Sequence, residues 1–379
     1  MTWDITGSGA IANIGRTPGQ IFDALCAGQE TRNPLRAFDS TKYRTRHAYE
    51  IDDRTGLRDE PWRATKWLVL AVRQALADAG LSEDLSRTPV LVGTTLREQR
   101  STELWWTEGV PVRPSDLHFG GALRDAFGAV STYTFANACS ASLYALGLAT
   151  DMLDCGTADT VVVAGTDSIT ESAFGMLDRV QNESPQELRP FDVTHKGMLM
   201  GEGAVAVVLQ RPGTHDRRPL ARLTGVSMNC DAQHATAPDP EGIRTAVLDA
   251  HRRAGVSSGD IDLVMLHGSG TPRNDETEAA VLSEVFAGTS RAHAPLMTAI
   301  KSMTGHTLGG SGLLSLVVAV LAMERNTVPP VLGLTDPIEQ AAGLGLVRGG
   351  ATAADITTAQ INAFGLGGIN AVALVEAAA

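Results

Sequence analysis

Residues Thr134–Met152 read TFANACSASLYALGLATDM, with Cys139 at the centre. Just upstream, the apolar run Val130 to Phe135 reads as a buried strand. Small residues follow from Ala136 to Ser142, and an Ala/Leu-rich helix then runs to about Leu153. Strand, tight turn and helix start in that order are a unit of an α/β body. A thiol at the corner meets unpaired backbone N–H groups and the positive end of a helix dipole, which favour its thiolate. Ala138, Ser140 and Ala141 leave room for a substrate. A lone cysteine in such a place is as a rule a structural one, so its chemistry has to be argued from the rest of the chain.

The chain has 379 residues, 43% hydrophobic and 20% charged, enough for a large core built as two or three units or one large α/β body. Aromatics are only 5% while glycine reaches 39, which suits helices packed closely on sheets. The net charge of −12 and the lack of a basic stripe exclude a nucleic-acid binder. An acidic partner would therefore need a local basic patch. Cys26, Cys139, Cys155 and Cys230 show no C-x-x-C spacing, which argues against zinc and disulfides and fits a reducing cytoplasm. No signal peptide is expected from the first 15 residues. The best membrane candidate, Leu313 to Met323, is too short to span a bilayer.

Along the chain, Thr6-Gly7-Ser8-Gly9-Ala10 reads as a Gly-rich turn but lacks the G-x-G-x-x-G spacing of a dinucleotide loop. A helix is expected at Pro18 to Ala27 and a strongly amphipathic one from Pro61 to Ala79, closed by Gly80. Residues 28–60 are polar, with a basic cluster from Lys42 to His47 that reads first as a solvated loop. Trp105 and Trp106 suggest core or interface packing, or the wall of a pocket. Thr160 to Gly165 is a buried strand, residues 171–204 are rich in loops, and Ala204 to Leu209 is a strand. Arg211 to Pro219 is the best candidate for a crossover, dividing the chain into residues 1–212 and 213–379. Similar element order in the two parts suggests an internal duplication.

Polar groups of unusual kind gather in the second part. His267-Gly268-Ser269-Gly270-Thr271-Pro272-Arg273-Asn274-Asp275 directly follows an apolar strand, a good place to present an imidazole. Lys301-Ser302-Met303-Thr304-Gly305-His306 precedes a long apolar helix. A semi-buried Lys301 needs a carboxylate, which Glu278 or Asp275 can supply. Asn362-Ala363-Phe364-Gly365-Leu366-Gly367-Gly368-Ile369-Asn370 lies between two strands, and its glycines leave N–H groups free to face an oxyanion. A thiol to take an acyl group, amides to hold an oxyanion and two imidazoles to steady an enolate suit carbon–carbon bond formation from an activated acid.

With NACSAS, RPFD…GEG, HGSGTPRND plus Glu278, KSMTGH and NAFGLGG in that order, the chain resembles the β-ketoacyl synthases over nearly its whole length. The resemblance implies a thiolase-like fold of five layers, αβαβα, made of two related halves and usually dimeric. It implies that Cys139 accepts the acyl chain and that His267 and His306 bind the malonyl thioester as CO₂ leaves. Lys301 would organise the site with Glu278 as partner, and the amides of Cys139 and Leu366 would form the oxyanion hole. It implies no metal and no organic cofactor. The expected partner is an acidic acyl carrier protein, docked on basic residues among which Lys42, Arg44, Arg46, Arg63 and Lys66 are candidates.

Three departures from the family pattern concern the acyl pocket. Leu366 stands where a gating Phe is usual, Met198 replaces another aromatic, and Thr94 to Glu98, with Leu96, replace a Gly-rich stretch. With Phe364 these residues mark the gate and pocket, and they point to an unusual acyl substrate in a type II polyketide or specialised lipid pathway. A thiolase would need a second cysteine near the C-terminus, but the last one is Cys230. A chain-length-factor-like subunit would lack the nucleophile, although the chain could act as the active half of a heterodimer with one. An acyltransferase on the same fold and an inactive scaffold are the remaining alternatives.

Overall fold

The computed structural model describes residues 2–56, 59–288 and 294–378; Leu57 and Arg58 of the polar 28–60 segment lie outside them. The first half contains β1 (Trp3–Ala12), α1 (Pro18–Cys26), α2 (Arg63–Ala79), β2 (Val90–Gly93), α3 (Gln99–Glu108), α4 (Gly120–Phe127), β3 (Thr132–Phe135), α5 (Ala141–Asp154), β4 (Thr160–Asp167), α6 (Glu171–Val180) and β5 (Gly203–Gln210). The second contains β6 (Ala221–Cys230), α7 (Pro240–Ala254), β7 (Leu263–Met265), α8 (Pro272–Val285), β8 (Leu296–Thr298), α9 (Lys301–Thr304), α10 (Ser311–Arg325), β9 (Gly345–Leu346), β10 (Thr358–Gly365) and β11 (Ile369–Ala377).

The duplication is visible in the strand order. The first half pairs as β3-β2-β4-β5-β1 and the second as β8-β7-β10-β11-β6, with the short β9 added at its edge. Both sets have two parallel pairings followed by two antiparallel ones. A short antiparallel seam, Trp3 to Ile5 against Ala221 to Leu223, joins them. Between the halves lie α5 and α10, each packed on strands of both, while α2 and α4 cover one outer face and α7 and α8 the other. The layers are therefore α, β, α, β, α. The central cluster includes Leu143 and Leu146 of α5 with Leu316 and Val317 of α10. Two further clusters fill the outer interfaces.

Several local expectations are corrected. The segment Thr6 to Ala10 is no turn but part of β1. Its glycines admit α2, since a Cβ on Gly7 or Gly9 would lie 2.2 Å from the Ala75 carbonyl oxygen or 2.1 Å from that of Ala71. The strand before Cys139 is β3, which ends the sheet with no neighbour on its outer side; Tyr133 on it and Val130 just before it are exposed. Residues 171–180, read as loop, form α6, whose N-cap Thr170 accepts from the Ala173 amide. The apolar candidate Leu313 to Met323, read as too short to span a bilayer, lies inside a longer helical run: Leu308–Arg325 has the length and composition of a membrane span. It is 83% buried inside the fold, as the middle layer requires.

Candidate active site

Cys139 sits in a single 3-10 turn, Ala138–Ser140, that leads into α5. The preceding Ala138 has φ 58°, a left-handed conformation that costs a non-glycine residue about 1–2 kcal/mol. The turn is held from two sides. Ser140 Oγ donates to the Ile369 carbonyl at 2.9 Å, and Ser311 Oγ donates to the Cys139 carbonyl at 3.4 Å. Gly365 approaches so closely that a Cβ there would lie 3.3 Å from the Cys139 nitrogen. The Gly-rich loop between β10 and β11 is thereby pressed against the turn that carries Cys139.

The thiol is buried. Desolvation pushes it up to about 11, against the pull of the nearby Lys301 ammonium and of the Leu366 and Cys139 amides. This corrects the expectation of a thiolate-favouring corner: loss of water outweighs the helix start. The same amides that reach the sulfur are those expected to form the oxyanion hole. Burial also lowers Lys301 to about 8, offset by the field of Glu278.

The two imidazoles are fixed by backbone amides. The Phe364 N–H donates to His267 Nδ1 at 3.3 Å, and the Leu308 N–H donates to His306 Nδ1 at 3.1 Å. A neutral ring that accepts at Nδ1 carries its proton on Nε2. Burial, reinforced by the Lys301 charge, holds both rings well below the usual histidine range, so both are neutral at pH 7. Their rings stand edge to face, 5.4 Å apart.

Lys301 and Glu278 do not form a direct ion pair. Lys301 Nζ donates to the His267 carbonyl, while Glu278 accepts from the amides of His267 at 2.7 Å and Gly268 at 2.9 Å. The two charges grip one stretch of backbone from opposite sides and hold His267 in place. Asn362 Nδ2 donates to Glu278 at 3.0 Å, so the carboxylate is satisfied within the fold. Asp275 does something else. It accepts from the amides of Phe191 and Gly270 and meets His195 Nδ1 at 3.2 Å, tying RPFD to the His267 loop. Asp192 of that motif accepts from the amides of Thr335 and Asp336.

Cys139, His267, His306, Phe364, Leu366 and Met198 share one cleft of about 70 Å³. Leu96 does not line it. It packs in an apolar cluster with Met198 and Leu308 and faces a separate cleft of about 280 Å³. Sequence reasoning missed Asp167 at the end of β4. This buried carboxylate accepts from Thr94 Oγ1, the amides of Thr95 and Leu96, and the amide of Gly309. It thus clips the Leu96 loop to the turn that supports His306. Residues Thr236 to Pro238, which also line the cleft, carried no sequence signal.

The basic candidates fare unevenly. Arg63 is buried on Glu202 and Asp53, at 2.8 and 2.9 Å, and cannot serve as a docking residue. An arginine in an amphipathic helix looks solvent-facing until a carboxylate more than a hundred residues away, here Glu202, comes into view. Lys42 pairs with Glu171 and Lys66 with Glu60, whereas Arg44 binds the last carbonyls of α6. Arg46 is exposed.

An acyl thioester on Cys139 would set its carbonyl against two amides while two imidazole N–H donors face the same space. That division of labour, on a duplicated αβαβα body, defines a condensing enzyme of thiolase-like fold. The chain belongs to the β-ketoacyl synthase family. Residues 4–215 match the β-ketoacyl synthase N-terminal domain and residues 220–335 the C-terminal domain. It is 30% identical to 3-oxoacyl-[acyl-carrier-protein] synthase 2 of Coxiella burnetii, over 97% of this chain and 96% of that one. It is 31% identical to the tetracenomycin polyketide synthase ketoacyl synthase alpha subunit of Streptomyces glaucescens, over 88% and 87%. Among solved structures, the ishigamide ketosynthase/chain length factor superposes with a TM-score of 0.90 at 29% identity, covering 100% of this chain and 99% of that one.

Proposed function

We propose that the protein joins an acyl chain held on Cys139 to malonyl-acyl carrier protein by decarboxylative Claisen condensation. The observation that carries this reading is the pair of imidazoles with Nδ1 occupied by backbone amides, which leaves two neutral Nε2–H donors on the cleft of Cys139. In the first half-reaction the thiol attacks a carrier-bound acyl thioester, and its proton leaves with the departing carrier thiol. In the second, malonyl loses CO₂, and the enolate oxygen accepts from His267 and His306. The enolate carbon attacks the acyl-Cys139 carbonyl, whose oxyanion the Cys139 and Leu366 amides hold. Collapse expels the cysteine sulfur, which takes up a proton, and releases a β-ketoacyl carrier thioester.

Leu366 in the gate position, with Met198 lining the same cleft, supports an acyl substrate outside ordinary fatty-acid elongation. A type II polyketide or specialised lipid pathway in the cytoplasm fits these two residues. The unpaired edge of β3 favours a dimer, either with a second copy or with a chain-length-factor-like subunit. We place the boundary between the halves at residues 212 and 213. Intact-mass analysis with acyl- and malonyl-loaded carrier proteins tests the reading, wild type beside Cys139→Ala. An acyl adduct on the wild type alone, followed by malonyl-dependent CO₂ and a β-ketoacyl product, is expected. An adduct without CO₂ would replace condensation by simple acyl transfer.

A further inference from the structure

Strand β10 has two faces of different character. Ala359, Ile361 and Ala363 enter the central apolar cluster. By the alternation of a strand, Gln360, Asn362 and Phe364 face the other way, under α7 and α8. The cluster on that side holds Val247 and Ala250 of α7, Val264 of β7, Leu282 of α8 and Phe364 itself. Amides and an imidazole set among such side chains cost stability unless each is hydrogen-bonded. Here they bond to one another in a line. His251 Nε2 on α7 meets Gln360 Oε1 at 2.7 Å, Gln360 Nε2 donates to Asn362 Oδ1 at 2.8 Å, and Asn362 Nδ2 donates to Glu278 Oε1 at 3.0 Å. None of the four residues is more than 5% exposed. The line has one direction. A carboxylate only accepts, so Asn362 turns its amide nitrogen to Glu278 and its oxygen to Gln360. Gln360 then turns its oxygen to His251, whose ring must carry a proton on Nε2. Desolvation, against the pull of Gln360, holds this ring below the usual histidine range, so that proton is the neutral ring's own.

We propose that Gln360 and His251 are positioning residues of the decarboxylation step, acting on His267 through Asn362 and Glu278; this rests on the condensing reading above. Three observations select this role. First, apolar side chains of the same shape would fill the space between α7 and β10 at no such cost, so packing alone does not account for the pair. Second, the line ends on the carboxylate that accepts from the His267 and Gly268 amides. The next residue on the same face of β10, Phe364, gives its N–H to His267 Nδ1. Strand β10 thus grips His267 twice, at the ring directly and at the backbone through Asn362 and Glu278. Third, no hydrogen bond of the line reaches the turn of Cys139 among the described residues, so its effect falls on one half-reaction. Without Gln360 the Asn362 amide is free to turn its oxygen towards Glu278. Oxygen would then meet oxygen, the carboxylate would shift, and the His267 Nε2–H would leave the place where the enolate oxygen forms.

Gln360→Met tests the assignment, because it keeps the length of the side chain and removes both of its bonds. Three quantities are measured: CO₂ release from malonyl-acyl carrier protein by enzyme already acylated, the rate of Cys139 acylation by intact mass, and the midpoint of urea unfolding. Gln360→Met is expected to slow CO₂ release at least about tenfold, as a small misplacement of a reacting group does. Acylation of Cys139 should be unchanged. The midpoint should fall, since His251 Nε2 and Asn362 Oδ1 lose their partner. Adding His251→Leu to Gln360→Met removes one of those two unpaired groups and should raise the midpoint again, while CO₂ release stays slow. His251→Leu alone should slow CO₂ release, and His251→Gln, which offers an N–H near the place of Nε2, should restore it. Recovery of CO₂ release together with stability in the double variant would make the line a matter of stability and overturn the proposal. Equal loss in both half-reactions would overturn it too. A wild type that condenses while Gln360→Met matches it overturns the positioning role alone. A wild type that is acylated but releases no CO₂ from malonyl-acyl carrier protein overturns the condensing reading and the positioning role with it.

Discussion

At the residue scale the site sets the thiol and the imidazoles to opposite ends of their usual behaviour. Cys139 is held at about 11 by burial, so its thiolate fraction grows roughly tenfold per pH unit through the neutral range. Alkylation by iodoacetamide, read by mass at Cys139, should therefore keep accelerating through pH 9; a plateau below pH 8 would contradict a buried neutral thiol. In the proposed mechanism His306 has no part in making the first thioester, whereas the enolate needs its Nε2–H. His306→Ala should keep acylation of Cys139 and slow malonyl decarboxylation by about 100-fold or more, the usual effect of losing one preorganised donor. Equal loss in both half-reactions would count against this division. The identities of these residues were legible in the sequence because each lies in a short motif of small and glycine residues next to an apolar strand or helix. Their protonation was not. It follows from burial and from the Lys301 charge, which exist only once β4, β7, β10 and α10 have met.

At the element scale Cys139 is placed by backbone packed on backbone. A Cβ on Gly93, at the end of β2, would lie 2.3 Å from the Ser142 nitrogen and 2.4 Å from the Ala141 carbonyl carbon. Gly93→Ala must push the start of α5 away. It should cost about 3 kcal/mol, near the upper end of ordinary overpacking, and reduce acylation of Cys139; chemical denaturation measures the first. Asp167 clips two loops whose non-glycine residues Arg97 and Leu308 have φ of 54° and 50°. Desolvation raises this carboxyl from 3.8 to about 6 against the pull of its amide donors. The folded state thus holds a proton that the unfolded state releases, so this group's cost to stability is full above about pH 6 and fades towards pH 4. Asp167→Asn should flatten the pH dependence of the melting temperature in that window, and an unchanged slope would argue against the shift. Helices α3 and α6 escaped the sequence reading because each buries only a short apolar stripe. The carboxyl end of α6 is completed by Arg44, which lies more than a hundred residues earlier in the chain.

At the scale of the whole molecule the duplication was legible as element order, and the sheet shows it as one strand order used twice. What the sequence hid was exposure. Val130 to Phe135 looked buried because it is apolar, yet β3 ends the sheet. The carbonyls of Ser131 and Phe135 accept from the amides of Val90 and Thr94 at either end of β2, and the alternation of a strand then turns the N–H and C=O groups of Thr132 and Thr134 outward. Thr132→Pro would remove one outward donor, and it should weaken subunit association in sedimentation velocity; unchanged association would place the dimer contact elsewhere. The position of β1 has a different consequence, one for synthesis on the ribosome. Trp3–Ala12 is a central strand of the sheet, but its partners are residues 203–210 and 221–223. At roughly 5–20 residues per second, a nascent chain waits about 10–40 s before β1 finds its first partner strand. During that interval a strand buried deep in the finished protein has both its edges open, with only α1 and α2 made to cover its faces, so the yield of folded protein depends on how well the cell shelters those residues.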